Sequence, residues 1–233
     1  ANTPFANEIL MGTATVPPEC DQYVGELFQH LQQAPLRDNN DIAASITSKD
    51  FREGWKVMKE RTSAGLSGLH FGHLKTCASD GFLSQFESAI SNIPYCTGFL
   101  PKQWQVGVDL MLKKKSQSNL VSNLRTIVLC EADYNFNNKI LGKRAIAHAE
   151  THQLIAQEQY GSRSGKCSID HALHKRLWYD IHRQFRCAAA LCSNDAKSCY
   201  DRIVHTVAIL AYRRIGIPSP PVECMFQTIQ NMK

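Results

Sequence analysis

Asp195 is the residue around which chemistry can be built. It stands where a short apolar run, Cys187–Asn194, gives way to a polar segment containing Tyr200 and Asp201. The run suits a buried strand, and the segment beyond suits a helix from about Tyr200 to Ile215, stopped at Gly216 with Pro218 after it. A carboxylate at a strand end is a good place to hold Mg2+. That hard cation takes oxygen ligands and commonly keeps one or two protein carboxylates beside substrate phosphates. The same position also suits an N-cap carboxylate, and one carboxylate does not choose between the two roles. Tyr200, on its local pattern, is a first-turn core aromatic.

Two further sets of residues could handle phosphate. Lys113, Lys114 and Lys115 open a polar connection, Lys113–Asn123, between the strand-like runs Val108–Leu112 and Leu124–Leu129, and Arg125 is the second residue of the second run. Arginine offers planar bidentate donors to a phosphate and lysine a point charge; a solvated hairpin tip would carry the same lysines. Gly161, Arg163, Gly165 and Lys166 lie in a loop, Gln159–Lys166. There the glycines would let a nucleic-acid backbone approach and the cations would neutralise it, although an exposed loop also tolerates such residues.

Charge is unevenly distributed. Residues 1–100 carry seven Lys and Arg against eleven Asp and Glu, net −4, whereas residues 101–233 carry nineteen against ten, net +9. A basic second half is what a polyanion-binding surface requires, and it is also compatible with an ordinary solvated face. At 233 residues, 43% hydrophobic and 20% charged, the chain can build a core, which excludes disordered, collagen-like and coiled-coil classes. No apolar run approaches the roughly 18 residues of a membrane span, so no membrane partner is expected. The nine cysteines show no Cys-x-x-Cys pair, so no Cys2His2 zinc-finger register is complete, which argues against a structural zinc. An odd number of thiols in apolar segments fits buried cysteines in a reducing, intracellular compartment, the nucleus included. His70 and His73 could share a helical face, but packing or surface exposure accounts for them.

The elements that must position these groups are legible by period. Tyr23–Gln33 is amphipathic, and Pro35–Asp41 reads as a loop. Thr47 or Ser48 can cap a helix to about Glu60, with Phe51, Trp55 and Met58 on one stripe. After a break at Thr62–Gly68, Phe82, Phe86 and Ile90 mark a helix closed by Pro94. Helices are expected over Asp133–His152, from Ser168 through Phe185, and over Pro221–Met232. Helices and strands without strict alternation indicate the α+β class.

The string Asn194-Asp195-Ala196-Lys197-Ser198-Cys199-Tyr200-Asp201 resembles the first catalytic-Asp motif of reverse transcriptases, in which an aromatic follows the Asp by five residues and the next helix ends in Gly-Ile-Pro, here Gly216-Ile217-Pro218. Gln159-Tyr160-Gly161-Ser162-Arg163-Ser164-Gly165-Lys166 looks like the family's Gln-aromatic-Gly-x-Arg-x-Gly-basic loop. Leu124-Arg125-Thr126-Ile127-Val128-Leu129, with Lys139–Arg144 beyond, is similar to the fingers strand and helix of non-long-terminal-repeat retroelement enzymes. Ser63-Ala64-Gly65-Leu66-Ser67-Gly68 stands where a Ser-Pro-Gly-Pro-Asp-Gly turn is common. The matches fall in the family's order across about residues 47–233.

The resemblance implies a right-hand polymerase fold, with fingers and the first part of the palm over residues 47–233, preceded by a helical extension over 1–46. Asp195, with the carbonyl of Ala196, would hold two Mg2+ ions, which clamp the attacking and leaving oxygens of an in-line phosphoryl transfer. Tyr200 would select deoxynucleotides. Arg125 with Lys113, Lys114 or Lys115 would reach the triphosphate. Arg163 and Lys166, with Gly161 and Gly165, would meet an RNA template or DNA primer. Thr126, Ser67 and Ser162 depart from the usual Pro, Asp and aromatic. No adjacent acidic pair occurs anywhere in the sequence, so the further catalytic carboxylates of the family are absent from these residues. The chain is therefore expected to be the amino-terminal portion of a longer polymerase, inactive by itself and with an incomplete palm sheet. The competing expectations are a non-catalytic nucleic-acid-binding module and an α-rich interaction domain.

Overall fold

The computed structural model describes residues 3–33, 42–114, 120–195 and 199–233. The protein is helix-rich with one two-stranded antiparallel sheet, α+β in the coarse sense. It divides into two compact units, Ala1–Ala145 with His205–Lys233, and Ile146–Val204. Residue 46, the expected limit of an amino-terminal extension, is not a boundary between these units.

In the first unit, α1 (Pro4–Met11) starts at Thr3, whose hydroxyl accepts from the Ala6 N–H at 3.2 Å, and ends at Gly12 in the left-handed conformation, φ 74°. The Gly12 N–H donates to the Ile9 carbonyl at 3.2 Å, and the remaining carbonyls of the last turn lack intrahelical donors. The buried Arg214 of α8 (His205–Arg214) donates to the Leu10 and Ile9 carbonyls at 2.7 and 2.8 Å. Ala6, Ile9 and Leu10 pack on Leu210, with Phe28 and Leu31 of α2 (Gln22–Gln33) against them. The first helices and α8 thus form one cluster.

The main core is aromatic. Helix α3 (Ser48–Lys56) begins with a capping box, in which the Thr47 hydroxyl accepts from the Asp50 N–H at 3.1 Å and Asp50 accepts from the Thr47 N–H at 2.9 Å. Such a cap contributes about 1 kcal/mol. From this start Phe51 and Trp55 turn inward on the expected stripe. Trp55 stacks on Phe136 of α6 (Ala132–Thr151), centroids 5.1 Å apart, and meets Phe71 of α4 (Phe71–Cys77) edge-on at 5.6 Å. Gly54 makes this stacking possible, since a Cβ there would come within 2.6 Å of the Phe136 ring. Ile209, Ile217 and, from α9 (Ser219–Asn231), Val222 and Phe226 complete the cluster.

Helix α5 (Gly81–Thr97) differs from expectation in two ways. Pro94 lies inside it rather than closing it, and the helix ends at Gly98, φ 73°, whose N–H donates to the Pro94 carbonyl. Burial of Pro94 and Tyr95 outweighs the one helical hydrogen bond that proline cannot make. Phe82, Phe86 and Ile90 keep their helical spacing but face solvent, at 75%, 55% and 44% exposure. The inward face is Ser84, Ser88 and Ser91, small residues that let the neighbouring helices α3 and α9 approach. The Ser84 and Ser88 hydroxyls are satisfied by carbonyls of their own helix.

Strands β1 (Val108–Lys113) and β2 (Leu124–Leu129) pair antiparallel from Val108 opposite Leu129 to Lys113 opposite Leu124. In the second unit, α7 (Ser168–Gln184) follows the glycine-punctuated loop. The expected strand over Cys187–Asn194 does not form; the segment is exposed and pairs with no other strand among the described residues. Apolar composition alone does not make a strand, because its N–H and C=O groups need a ladder partner. The helix expected from Tyr200 is replaced by a single 3-10 turn, Tyr200–Arg202, with the regular helix starting at His205. The cysteines also depart from expectation. All are free, Cys224 alone is buried, and Cys96, Cys167, Cys187, Cys192 and Cys199 are exposed.

Candidate nucleotide and nucleic-acid interface

The β1–β2 ribbon carries the cations of the first unit that the sequence assigned to the triphosphate. Side chains alternate across a strand, so the pairing of Leu112 with Arg125 puts Arg125 on the face of Leu110, Leu112 and Ile127. Lys113, paired with Leu124, lies on the opposite face with Met111 and Thr126, and the Thr126 hydroxyl donates to the Met111 Sδ at 3.2 Å. Continuing the alternation assigns Lys114 to the face of Arg125. Its N–H, in the bend just past β1, donates to the Asn123 carbonyl at 2.9 Å. Lys113, Lys114 and Arg125 are all exposed. Lys115 lies outside the described residues. The ribbon therefore sets Arg125 and Lys113 on opposite faces, with Lys114 just past the same end of the sheet.

The turn at Ser63–Gly68 is fixed from within the same unit. Glu131, only 1% exposed, accepts from the Ser67 N–H at 3.0 Å and from the Ser67 hydroxyl. Gly65 sits against this carboxylate, since a Cβ at that position would stand 2.3 Å from a Glu131 oxygen. Neither the sequence spacing nor charge pointed to Glu131, because a buried carboxylate has no local pattern.

In the second unit the loop glycines play unequal parts. Gly165 adopts φ 70°, which favours glycine, as does Ser162 at φ 62° without being one. Gly161 does not, and a Cβ there would meet the Gln159 amide nitrogen at 3.1 Å. Arg163 is turned into its own unit, with its side chain 16% exposed. Its Nε donates to Glu150 at 3.2 Å and its Nη1 to the Ala156 carbonyl at 2.9 Å. The guanidinium thus latches the loop to the end of α6, where the sequence suggested a contact with template or primer. Lys166 lies over the Tyr160 ring, 4.9 Å from its centroid.

Around that ring is a group of residues the sequence reading did not single out. Tyr160 and His174 are joined through the hydroxyl and Nδ1 at 2.6 Å, and His171 lies against the same ring at 5.0 Å. Lys166, Lys175 and Trp178 join them around a concavity of about 400 Å3. The signal was present as spacing, since His171 with Lys175 and His174 with Trp178 each fall four apart on one helix. Cations interleaved with aromatic faces suit phosphates and stacked bases.

Asp195 is exposed in an irregular segment, and Tyr200 is 87% exposed. Ala196 lies outside the described residues. Asp195 belongs to the second unit and Arg125 to the first. Among the described residues there is no group of three His, Cys, Asp or Glu side chains able to hold a metal ion. One exposed carboxylate does not meet the oxygen demand of two magnesium ions, so the described residues do not fit that metal pair. No described helix is long and apolar enough to cross a membrane. No protein-family model and no curated protein matches the chain.

Proposed function

We propose that the chain is the fingers and first palm portion of an RNA-directed DNA polymerase of the non-long-terminal-repeat retroelement type. In this reading it holds an RNA template and a DNA primer, and does not by itself add deoxynucleotides. The observation that carries the reading is the β1–β2 ribbon. It supports a nucleotide-facing role for Arg125, because Arg125 and Lys114 are both exposed at the end where the basic connection leaves the sheet, and strand alternation would carry Lys114 to the side of Arg125. Two cations on one face can grip a triphosphate, with the arginine fork fixing orientation and the ammonium adding charge. Asp195 is the residue assigned to catalysis, with Tyr200 beside it as the deoxynucleotide selector. The absence of any adjacent acidic pair from these residues is why polymerisation is not expected of them alone.

The test is binding of an RNA/DNA template–primer to the full chain over a salt series, together with primer extension. Binding should weaken linearly on a log–log plot of affinity against salt. Arg125→Ala with Lys114→Ala should lower the affinity for deoxynucleoside triphosphate in the presence of template–primer, and no extension should occur. Salt-independent binding, or triphosphate affinity indifferent to both substitutions, overturns the reading. Extension by the isolated chain overturns its inactivity.

A non-catalytic nucleic-acid-binding module is the second reading, favoured by the Tyr160, Lys166, His171, His174, Lys175 and Trp178 concavity. Single-stranded RNA binding that is steeply salt-dependent, indifferent to magnesium and lost in Trp178→Ala selects it over the first.

A further inference from the structure

The first unit has a second concavity, remote in composition from any phosphate site. It encloses about 360 Å3, with Phe51, Trp55 and Phe136 at its floor and Ile90, Ile93 and Phe99 among its more exposed walls. Polar groups interrupt this apolar lining, among them the Gln103 amide and the indole nitrogens of Trp55 and Trp104. Trp55 is wholly buried, and its indole Nε1 has no hydrogen-bond partner. The charged groups of the lining are the carboxyls of Glu87 and Asp133.

Asp133 accepts from the Tyr134 N–H at 2.9 Å and from the Gln103 amide at 3.4 Å, both neutral donors. Burial pushes its carboxyl above the usual range. Burial, and then the charge of Asp133, push the Glu87 carboxyl up as well. A cation placed beside the pair would relieve both effects.

The apolar surface also extends past the pocket. Phe82, Phe86, Ile90 and Ile93 recur along one stripe of α5, all at least 44% exposed. From residue 82 to residue 93 that stripe runs about 16 Å, about three helical turns, which exceeds what a small molecule filling the pocket would cover. It matches the apolar face of a helix laid in a groove, whose anchors fall three and four residues apart.

We propose that this groove docks an amphipathic, cationic helix of a partner polypeptide, which lays aliphatic or aromatic anchors along Phe82, Phe86, Ile90 and Ile93 and sets an arginine or lysine beside Glu87 and Asp133. The inference is independent of the polymerase reading.

The experiment uses the full 233-residue chain labelled with 15N-tryptophan, the three indole resonances being assigned by single Trp→Phe variants. The probes are a 15-residue helical peptide with Leu at i, i+4 and i+7 and a flanking Arg, the same peptide with Glu for Arg, and phenethylammonium as a free apolar cation. The Arg peptide should bind in the micromolar range and move the Trp55 indole resonance. The Glu peptide should bind at least tenfold more weakly, and phenethylammonium at least a hundredfold. Phe86→Ser and Glu87→Gln, both at positions that leave the core intact, should each weaken the Arg peptide about tenfold without lowering the urea midpoint. Equal affinity for the two peptides, an unmoved Trp55 resonance, no binding of the Arg peptide at millimolar concentration, or phenethylammonium as tight as the peptide overturns the proposal. The last outcome would assign the pocket to a small molecule.

Discussion

The two units solve the problem of apolar residues in opposite ways. The first gathers Phe51, Trp55, Phe71, Tyr95 and Phe136 into one cluster, each at most 2% exposed. In the second, no described residue from Thr151 onward is buried, and α7 keeps Ile169, Leu173, Leu177 and Ile181 at about half exposure or more. Its order rests instead on polar ties, such as the Arg163 latch and the Tyr160–His174 pair. Burial stabilises at about 25 cal/mol per Å2 of apolar surface, whereas exposed polar ties are individually worth about 1 kcal/mol. The first unit is therefore the stable body, and the second should open locally at low cost.

The sharpest way to break this contrast is to empty the core. Trp55→Ala should destabilise the chain by about 3–5 kcal/mol in urea titration. A loss under 1 kcal/mol would mean that the aromatic cluster is not what holds the first unit. Next in size is Gly65→Ala, where a Cβ forced against the buried Glu131 carboxylate should cost about 1–3 kcal/mol by the same titration.

Arg163→Ala sharpens the other side. It leaves the Ala156 carbonyl with the Gln159 N–H alone and Glu150 without its cation, so protease cutting within residues 157–166 should accelerate several-fold while the urea transition of the first unit stays put. If template binding fell with no change in proteolysis, the latch role would be wrong. Leu173→Ala, at 53% exposure, should shift stability by no more than about 0.5 kcal/mol. Amides of α7 should also exchange with solvent well before those of α3.

Acid distinguishes the first unit's charges. Around Asp50, burial works to raise the carboxyl, but the Thr47 hydroxyl and N–H and the Arg144 guanidinium, 3.1 Å away, outweigh it and hold it below its ordinary value. A depressed native pKa gives stability that is present above the unfolded value and lost as pH falls through the folded one. Asp50→Asn should flatten that acid limb. Glu87 has the opposite sign, because its raised native pKa makes ionisation at neutral pH a cost to folding. Glu87→Gln should raise the urea midpoint slightly at pH 7 and leave it unchanged near pH 4.

The sequence carried most of the helices, because stripes such as Phe51 and Trp55 and stop signals such as Gly216 are local. Two strands were legible for the same reason. Period alone did not reveal which side of a helix faces the core. On α5 the phenylalanines look outward and the serines inward, since neighbours on α3 and α9 demand close approach. The Cys187–Asn194 run failed as a strand for want of a pairing partner, a non-local requirement. Of the candidate site, the basic ribbon was readable but its facing was not, because register decides whether Lys113 or Lys114 accompanies Arg125. The inward turn of Arg163 was equally hidden, depending as it does on Glu150 across a loop.

The first unit is discontinuous, taking its last part from His205–Lys233. Ile209, Ile217, Val222 and Phe226 sit in the same cluster as Trp55. A ribosome delivers residues from the amino end at about 5–20 per second. The aromatic residues made first must therefore wait, incompletely covered, through synthesis of the whole intervening unit. Nascent chains stalled near residue 200 should for that reason bind hydrophobic-surface dyes and holdase chaperones, and release them once the carboxyl-terminal helices have left the exit tunnel.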